Sequence, residues 1–284
     1  MATISGLIRK MPSSVDPDGT VRYELYLEAP RAGVGAQADA VQTLPLNELI
    51  GRSIAVRPSG ALHCVRCGRA VEKHYGEGMC YDCFSTAPEA AECIVRPELC
   101  RAHLGQGRDP AWEREHHDQV HAVYFALTKE VKVGVTRQLQ VPTRWVDQGA
   151  AAAVQIARLP YRMLAGRLEV ALKAQYTDRT NWQQMLTGAQ GPQFDAQGEY
   201  RRVLEVLWRS APDLARFVLP LSDWQLQQLA YPIHERPQKV SSVRLNAGAI
   251  EAELQGVRGQ YLIFSGGRVL NMRRHSGVGV AVEV

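Results

Sequence analysis

The sequence lacks the marks of several large functional classes. No Gly-x4-Gly-Lys-Ser/Thr phosphate loop occurs in its 284 residues. The one stretch that approaches a dinucleotide fingerprint, Gly33-Val34-Gly35 followed by Ala36, Gln37 and Ala38, has no convincing helix behind it and no βαβ spacing. Met1 to Lys10 holds no long apolar leader segment, and no later run approaches the ~20 apolar residues of a membrane helix. A cytoplasmic protein with no membrane partner is therefore expected. Charge of one sign is scarce as well: 33 Lys and Arg stand against 29 Asp and Glu, a net +4 too mild to establish a polyanionic partner by itself. Cysteine is also scarce, with six in all, but the six are not scattered.

Four of them form two hooks, Cys64-Val65-Arg66-Cys67 and Cys80-Tyr81-Asp82-Cys83, with twelve residues between. Each hook presents two thiolates to one ion, and the intervening loop lets the hooks face each other, so the spacing predicts a tetrahedral Zn²⁺ site. Four thiolates leave no open position for water, which makes the metal structural. Without a leader segment a disulfide framework is disfavoured, and a thioredoxin-like motif would need only one pair. Gly68, Gly76 and Gly78 suit the tight backbone of such knuckles.

A second, less regular cluster follows. Cys93, Cys100 and His103 offer three ligands, with His117 or His116 as a fourth, and His121 close by. The spacing is read either as a second zinc site built from Cys93, Cys100, His103 and His117, or as two buried thiols among surface imidazoles.

The charge is unevenly distributed. From Val120 to Gln190 nine Lys and Arg stand against four acids, and from Arg258 to His275 there are four arginines and no acid. Such gathering suits a nucleic-acid surface, although solvated helix faces give the same count. Arg137, Arg162, Lys173, Arg258, Arg273 and Arg274 are the candidate nucleic-acid contacts.

Along the chain, Ile4–Ile8, Tyr23–Leu27 and Ser53–Val56 read as strands, the last turning at Pro58-Ser59-Gly60 into Ala61-Leu62. Ala29 to Ala40 reads as a loop. Val120–Leu127 and Val131–Thr136 predict a hairpin, Thr143 caps a short helix that Gly149 ends, and Ala151–Leu159 adds a strand. A helix is expected over Tyr161–Tyr176, buried along Leu164, Leu168 and Leu172. Arg162, Gly166, Glu169 and Lys173 share another face of it. There Gly166 either opens space for a ligand beside Glu169 or allows close helix packing, with Glu169 in an ordinary pair with Lys173. Thr180 is the expected cap of a helix over Asn181–Thr187, where Trp182 and Met185 pack inward or Trp182 stacks on a base. A linker over Gly188–Gly198 leads to an amphipathic helix bearing Tyr200, Val203, Leu204, Leu207 and Trp208, and Ser222 caps another through Leu229. Strands return at Ile250–Leu254, Gln260–Phe264, Val269–Met272 and Val278–Val284. Tyr261 and Phe264 there are either a base-stacking platform or core. Whether the first and last β-regions pair is left open.

The order of residues between Val120 and Tyr176 resembles the GIY-YIG nuclease superfamily. Ala122-Val123-Tyr124 stands where Gly-Ile-Tyr would be, and Lys132-Val133-Gly134 stands where Tyr-Ile-Gly is expected, close to the branch whose members read Lys-Ile-Gly. Arg144 falls on the short helix where that superfamily has its arginine, and Glu169 falls where it keeps a metal-binding glutamate. The runs Lys132–Arg137, Arg144–Ala150 and Thr180-Asn181-Trp182, with the cysteine pairs upstream, are also similar to a bacterial family that couples a zinc module to this domain and has no assigned activity. The resemblance implies phosphodiester hydrolysis with one divalent cation, Mg²⁺ or Mn²⁺, held by Glu169. It also implies that Tyr124 helps activate water and that Arg144 stabilises charge on the phosphate. A hard cation prefers carboxylate oxygen, and a guanidinium fork matches phosphate. The sequence departs from the pattern at Ala122 and Lys132, and a lysine is protonated at neutral pH unless its surroundings lower its pKa.

The expected fold class is α+β: β-rich N- and C-terminal regions around a zinc ribbon and a small GIY-YIG-like α/β domain. Five segments are expected, at 1–63, 64–119, 120–190, 191–240 and 241–284. Three functions fit: a zinc-containing nucleic-acid-binding nuclease, a non-catalytic binding module on the same basic surface, or a scaffold whose zinc site serves protein contacts.

Overall fold

The computed structural model describes residues 2–177, 181–188 and 193–284. In chain order the strands are β1 (Thr3–Ile8), β2 (Ser13–Val15), β3 (Val21–Glu28), β4 (Val41–Pro45), β5 (Ser53–Leu62), β6 (His121–Leu127), β7 (Val131–Arg137), β8 (Ala152–Leu159), β9 (Gln227–Gln228), β10 (Ser241–Ser242), β11 (Ile250–Arg258), β12 (Tyr261–Phe264), β13 (Arg268–Asn271) and β14 (Val278–Glu283). The α-helices are α1 (Tyr81–Thr86), α2 (Pro110–His117), α3 (Thr143–Asp147), α4 (Arg162–Leu172), α5 (Trp182–Thr187) and α6 (Ala196–Ser210). The protein is thus mixed α+β with β-rich ends, as the sequence predicts. Among the described residues no helix is long and apolar enough to cross a membrane. The chain gathers into two compact units, one of Met1–Ser85 with Ala230–Val284 and the other of Thr86–Leu229.

In the first unit, the described strands form one sheet in the order β10-β13-β12-β11-β5-β14-β1-β3-β2, with β4 also pairing β3. The two ends of the chain therefore do pair: Ile4 faces Val282, and Val56 faces both Val282 and Ile250. Alternation sets the buried face, with Val21, Tyr23, Leu25 and Leu27 inward on β3 and Ile250, Ala252 and Leu254 inward on β11. The turn expected at Pro58-Ser59-Gly60 is absent. β5 runs through it, and the register against β14 shifts between Val278 and Val280, so a bulge accommodates the proline that a regular central strand would reject.

In the second unit an antiparallel sheet runs β7-β6-β8-β9, with β6 and β7 forming the predicted hairpin. β6 is buried at every position, which explains why it reads as a continuous apolar run. Leu168 and Leu172 of α4 close the core with Val123, Phe125, Val154, Ile156, Leu207 and Trp224.

Several local expectations are corrected. α4 stops at Leu172, and Tyr176 beyond it folds back into the core. Thr143 begins α3 behind Pro142 rather than capping it. The cap of α5 is Asn181, whose side chain accepts the Gln184 N–H at 3.2 Å. Thr180, Asp178 and Arg179 lie outside the described residues, as do residues 189–192 of the expected linker. That linker ends early, since α6 starts at Ala196. The helix expected after Ser222 is a single 3-10 turn over Leu221–Asp223, followed by β9, which pairs with Ala152 and Ala153. Backbone groups on the outer edge of β8 outcompete a short polar helix there. On α6, Val203 and Leu207 are buried while Trp208 points outward.

Candidate metal centres and a basic cleft

The sulfurs of Cys64, Cys67, Cys80 and Cys83 all lie within 4.8 Å of one another, those of Cys67 and Cys80 at 3.9 Å. Four sulfurs about 2.3 Å from a shared Zn²⁺ would stand about 3.8 Å apart, so the set could hold a structural zinc. The first hook turns on itself, Gly68 N–H donating to Cys64 O and Cys64 N–H to Arg69 O, both at 2.9 Å. Gly68 and Gly78 have φ of +74° and +94°, and a Cβ on either would strike backbone, Arg31 O at 1.7 Å or Ser276 O at 2.5 Å, so both knuckles require glycine. Cys83 sits on α1, and its N–H donates to the Cys80 sulfur at 3.4 Å. Burial pushes the Cys80 thiol up, but that N–H, the Cys83 side chain and the Arg69 guanidinium outweigh it and hold it at about 6.

Near Cys93 and Cys100 the side chains that gather are not all those the spacing suggests. Cys93, Cys100, Glu113 and His117 bring one ligand atom each within 4.8 Å of all the others, and all four residues are buried. The His117 Nδ1 lies 3.6 Å from the Cys100 sulfur, 3.9 Å from the Cys93 sulfur and 3.8 Å from Glu113 Oε2. His103 is not among them. Its ring stacks on Tyr161 at 4.5 Å, nearly parallel. His116 stacks on Trp112 instead, while His121 is fully buried at the start of β6, outside this group and bonded through Nδ1 to Gln119 O at 2.7 Å.

Tyr124, Lys132, Arg144 and Glu169, which come from β6, β7, α3 and α4, line one cavity of about 220 Å³ with Ile94, Val95, Pro97, Gln148, Arg162 and Lys173. Among the described residues lining it, four are cationic (Lys132, Arg144, Arg162, Lys173) and one, Glu169, is acidic. Glu169 is buried, with Lys173 Nζ 3.6 Å from its carboxylate. Tyr124 pairs directly with Gly134 across the hairpin. Its ring overlies that glycine so closely that a Cβ there would sit 2.6 Å from the hydroxyl. The Tyr124 hydroxyl is held by Gln148 and by Arg144. Burial pushes that hydroxyl up to about 12, against the pull of Arg144, so at neutral pH it is an uncharged donor and acceptor.

Gly166 does not open space for a ligand. A Cβ there would meet Glu98 N at 2.2 Å and the Pro97 carbonyl carbon at 2.4 Å, so the glycine serves close packing of α4 on the Pro97–Leu99 turn.

A family model described as "Protein of unknown function (DUF2797)" matches residues 51–280. The chain belongs to the DUF2797 family. No curated protein and no solved structure matches it. The span shared with the DUF2797 model takes in both cysteine clusters and every residue lining the cleft.

The remaining candidate nucleic-acid contacts of this DUF2797 protein are placed unevenly. Lys173 lines the cleft, and Arg137 is half-buried at the end of β7, outside the lining. Arg162 reaches the cleft but spends its fork on backbone, donating from Nε and Nη2 to Cys93 O at 3.0 Å and from Nη2 to Ile94 O at 2.9 Å. In the first unit, Arg258 is buried over the Tyr231 ring and is not exposed, because that aromatic face covers its guanidinium. Arg273 pairs with Glu77 at 2.7 Å, and Arg274 lines a separate cavity with Arg244 and His275. Phe264 is core and Tyr261 half-buried. Sequence reasoning missed Glu113 and Gln148. Glu113 carried a signal, since it precedes His117 by one helical turn and so shares its face. Gln148, just past the short helix α3, carried none.

Proposed function

We propose that the second unit grips the phosphodiester backbone of a nucleic acid in the basic cleft and cleaves it with a divalent cation, as a diverged GIY-YIG-type domain would. The observation that carries this is the convergence of Tyr124, Lys132, Arg144 and Glu169 on one cavity from four separate elements. At about 220 Å³ the cavity is smaller than the ~300–1,000 Å³ of typical small-molecule sites, which favours one phosphate of a polymer over an enclosed metabolite. Arg144 and Lys132 supply the fork and the point charge that phosphate recognition uses. Glu169 is a hard oxygen ligand suited to Mg²⁺ or Mn²⁺, which keep several waters and take few carboxylates. When bound, such an ion would polarise a phosphoryl oxygen and lower the pKa of water. Tyr124, held uncharged between Gln148 and Arg144, would orient that water rather than deprotonate it.

A second reading rests on the 3.6 Å pair between Lys173 and Glu169 and on Lys132 in the place of a tyrosine: the cleft binds nucleic acid without cutting it. Labelled single- and double-stranded DNA and RNA incubated with Mg²⁺ or Mn²⁺ separate the two. Cleavage abolished by Glu169→Ala supports hydrolysis. Binding that weakens with salt, survives Glu169→Ala and is never followed by cleavage supports the binding module. No binding at low ionic strength removes both, and leaves a scaffold held by its zinc.

A further inference from the structure

We propose that Cys93, Cys100, Glu113 and His117 hold a second zinc ion, whose task is to fix the wall of the basic cleft formed by Ile94, Val95 and Pro97. The donor set fits the ion. A tetrahedral Zn²⁺ with Zn–S near 2.3 Å and Zn–N near 2.0 Å places sulfur and nitrogen about 3.5 Å apart, and His117 Nδ1 stands 3.6 and 3.9 Å from the two sulfurs. Helix α2 brings Glu113 and His117 to one face, one turn apart. The far oxygen of Glu113 is already oriented, since Oε1 accepts the Arg108 N–H at 2.9 Å while Oε2 faces His117 at 3.8 Å. Such outer hydrogen bonds are what aim a metal ligand. Gly107 leaves room for this arrangement, a Cβ there falling 2.2 Å from the Glu113 carboxylate.

Burial argues the same way. Glu113 is 2 % exposed, Cys100 2 %, His117 3 % and Cys93 7 %. A carboxylate buried this deeply among two thiols and an imidazole is a charge taken out of water, and a bound cation would offset it. With two thiolates and a carboxylate around Zn²⁺ a single negative charge remains, and Arg162, bonded to the Cys93 carbonyl, lies beside it to offset it.

The same ligands tether the cleft. Cys93 lies in the turn at Glu92–Ile94, and Cys100 ends the turn at Pro97–Leu99. Between them Cys93 and Ile94 give their carbonyls to Arg162, and the Pro97-Glu98 backbone is pressed on Gly166. Both partners are on α4, the helix that carries Glu169. A metal at the cluster therefore holds the segment that walls the cleft against the helix that supplies its carboxylate.

Metal analysis of the full chain purified from zinc-containing medium should give two Zn²⁺ per chain, falling to one in Cys100→Ser and remaining two in His103→Ala. Timed transfer of zinc to a chromophoric chelator gives a reading that does not depend on a cysteine variant folding. Loss of an outer-shell bond alone weakens zinc sites by about 10–100-fold, so Glu113→Gln should release one of the two equivalents at least about tenfold faster. Hydrogen exchange in that variant should rise over Glu92–Cys100 once that equivalent is removed. One zinc per folded wild-type chain would overturn the proposal, as would two that release unchanged in Glu113→Gln. Rapid alkylation of Cys100 in zinc-loaded protein would also overturn it and would make the Cys100–His117 pair a thiolate–imidazole couple instead. These readouts do not use nucleic acid, so they stand or fall separately from the function proposed for the cleft.

Discussion

Gly134→Ala puts the close approach at the centre of the cleft to a test. In most strands this change stabilises, because glycine costs roughly 0.5–1 kcal/mol relative to alanine in an element interior. Here the new methyl would lie 2.6 Å from the Tyr124 hydroxyl and 2.7 Å from its Cζ, against an optimum of ~3.5–4.0 Å for carbon pairs. The ring must retreat by about 1 Å, yet it is fully buried, bonded to Gln148 and Arg144, and 6.1 Å from Trp145. Overpacking of this kind costs about 1–3 kcal/mol, so the net expectation is a loss of roughly 0.5–2 kcal/mol. All five tryptophans, Trp112, Trp145, Trp182, Trp208 and Trp224, lie in the second unit, so urea unfolding followed by tryptophan fluorescence reports on that unit. In a Tyr124→Leu background the same substitution should become neutral or stabilising, a coupling of about 1–3 kcal/mol between the two positions. If Gly134→Ala raises the midpoint with Tyr124 intact, the ring does not lie over the glycine and the account of the motif is wrong.

Other outcomes follow from single side chains. His121, whose pKa is pushed down to about 4 chiefly by burial and then by Arg162, His117 and Arg137 against the pull of the Gln119 carbonyl, is neutral when folded and titrates near its ordinary value of about 6.5 when unfolded. The unfolded chain binds more protons between those values, so this contribution is complete above pH 6.5 and is lost as pH falls towards 4, by at most about 3 kcal/mol. His121→Leu should flatten that slope in urea titrations of the second unit. On the proposed function, Arg144→Ala should weaken nucleic-acid binding and lower the salt slope by about one, whereas Arg258→Ala, which removes a buried stacked side chain in the other unit, should lower stability without changing that slope. If Cys64, Cys67, Cys80 and Cys83 hold zinc, a chelator should raise hydrogen exchange over 64–83 of the first unit, and Cys64→Ser should do the same without chelator.

The sequence carried the parts of the fold whose signal is local. The Cys64–Cys83 hooks are two short spacings around one chemistry, and the β6–β7 hairpin is two apolar runs around a polar turn, so each could be read in place. What failed depended on partners distant in sequence. Ser53–Leu62 looks like a strand, a turn and a strand because Pro58-Ser59-Gly60 normally ends one, but pairing with β14 carries it through as a bulge. The segment after Ser222 looks like a capped helix until the edge of β8 is there to claim Gln227 and Gln228. In the candidate site, Tyr124, Lys132, Arg144 and Glu169 lie in an ordered series that sequence could display. Gly166 could be read two ways, because its neighbour, the Pro97-Glu98 backbone, is some seventy residues earlier in the chain. His103 enters the reading because cysteine–histidine spacing is conspicuous, and Glu113 escapes it because a carboxylate one turn before a histidine is not. Arg258 reads as a candidate nucleic-acid contact because charge normally lies outside, but Tyr231 supplies an aromatic face that makes burial tolerable.

The charge balance of the cleft constrains how it would work on the proposed function. Lys132, Arg144, Arg162 and Lys173 surround one carboxylate, so a divalent cation entering alone meets a net positive field and must displace the ammonium of Lys173 from Glu169. Lys173 is still about 30 % exposed while Glu169 is close to 10 %, so the lysine can swing to solvent and the carboxylate cannot. A phosphate changes both terms. It neutralises Lys132 and Arg144, it offers Lys173 another acceptor, and it supplies further oxygen ligands for the ion. Metal and phosphate would therefore each bind more tightly in the presence of the other, and by linkage the two enhancements must be equal. A binding module without hydrolysis has no such requirement. There the Lys173–Glu169 pair persists in the complex, and Mg²⁺ only competes with the protein for phosphate. The sign of the effect of Mg²⁺ on affinity for a non-cleavable backbone analogue, at fixed ionic strength, thus separates the two readings even where turnover is too slow to detect.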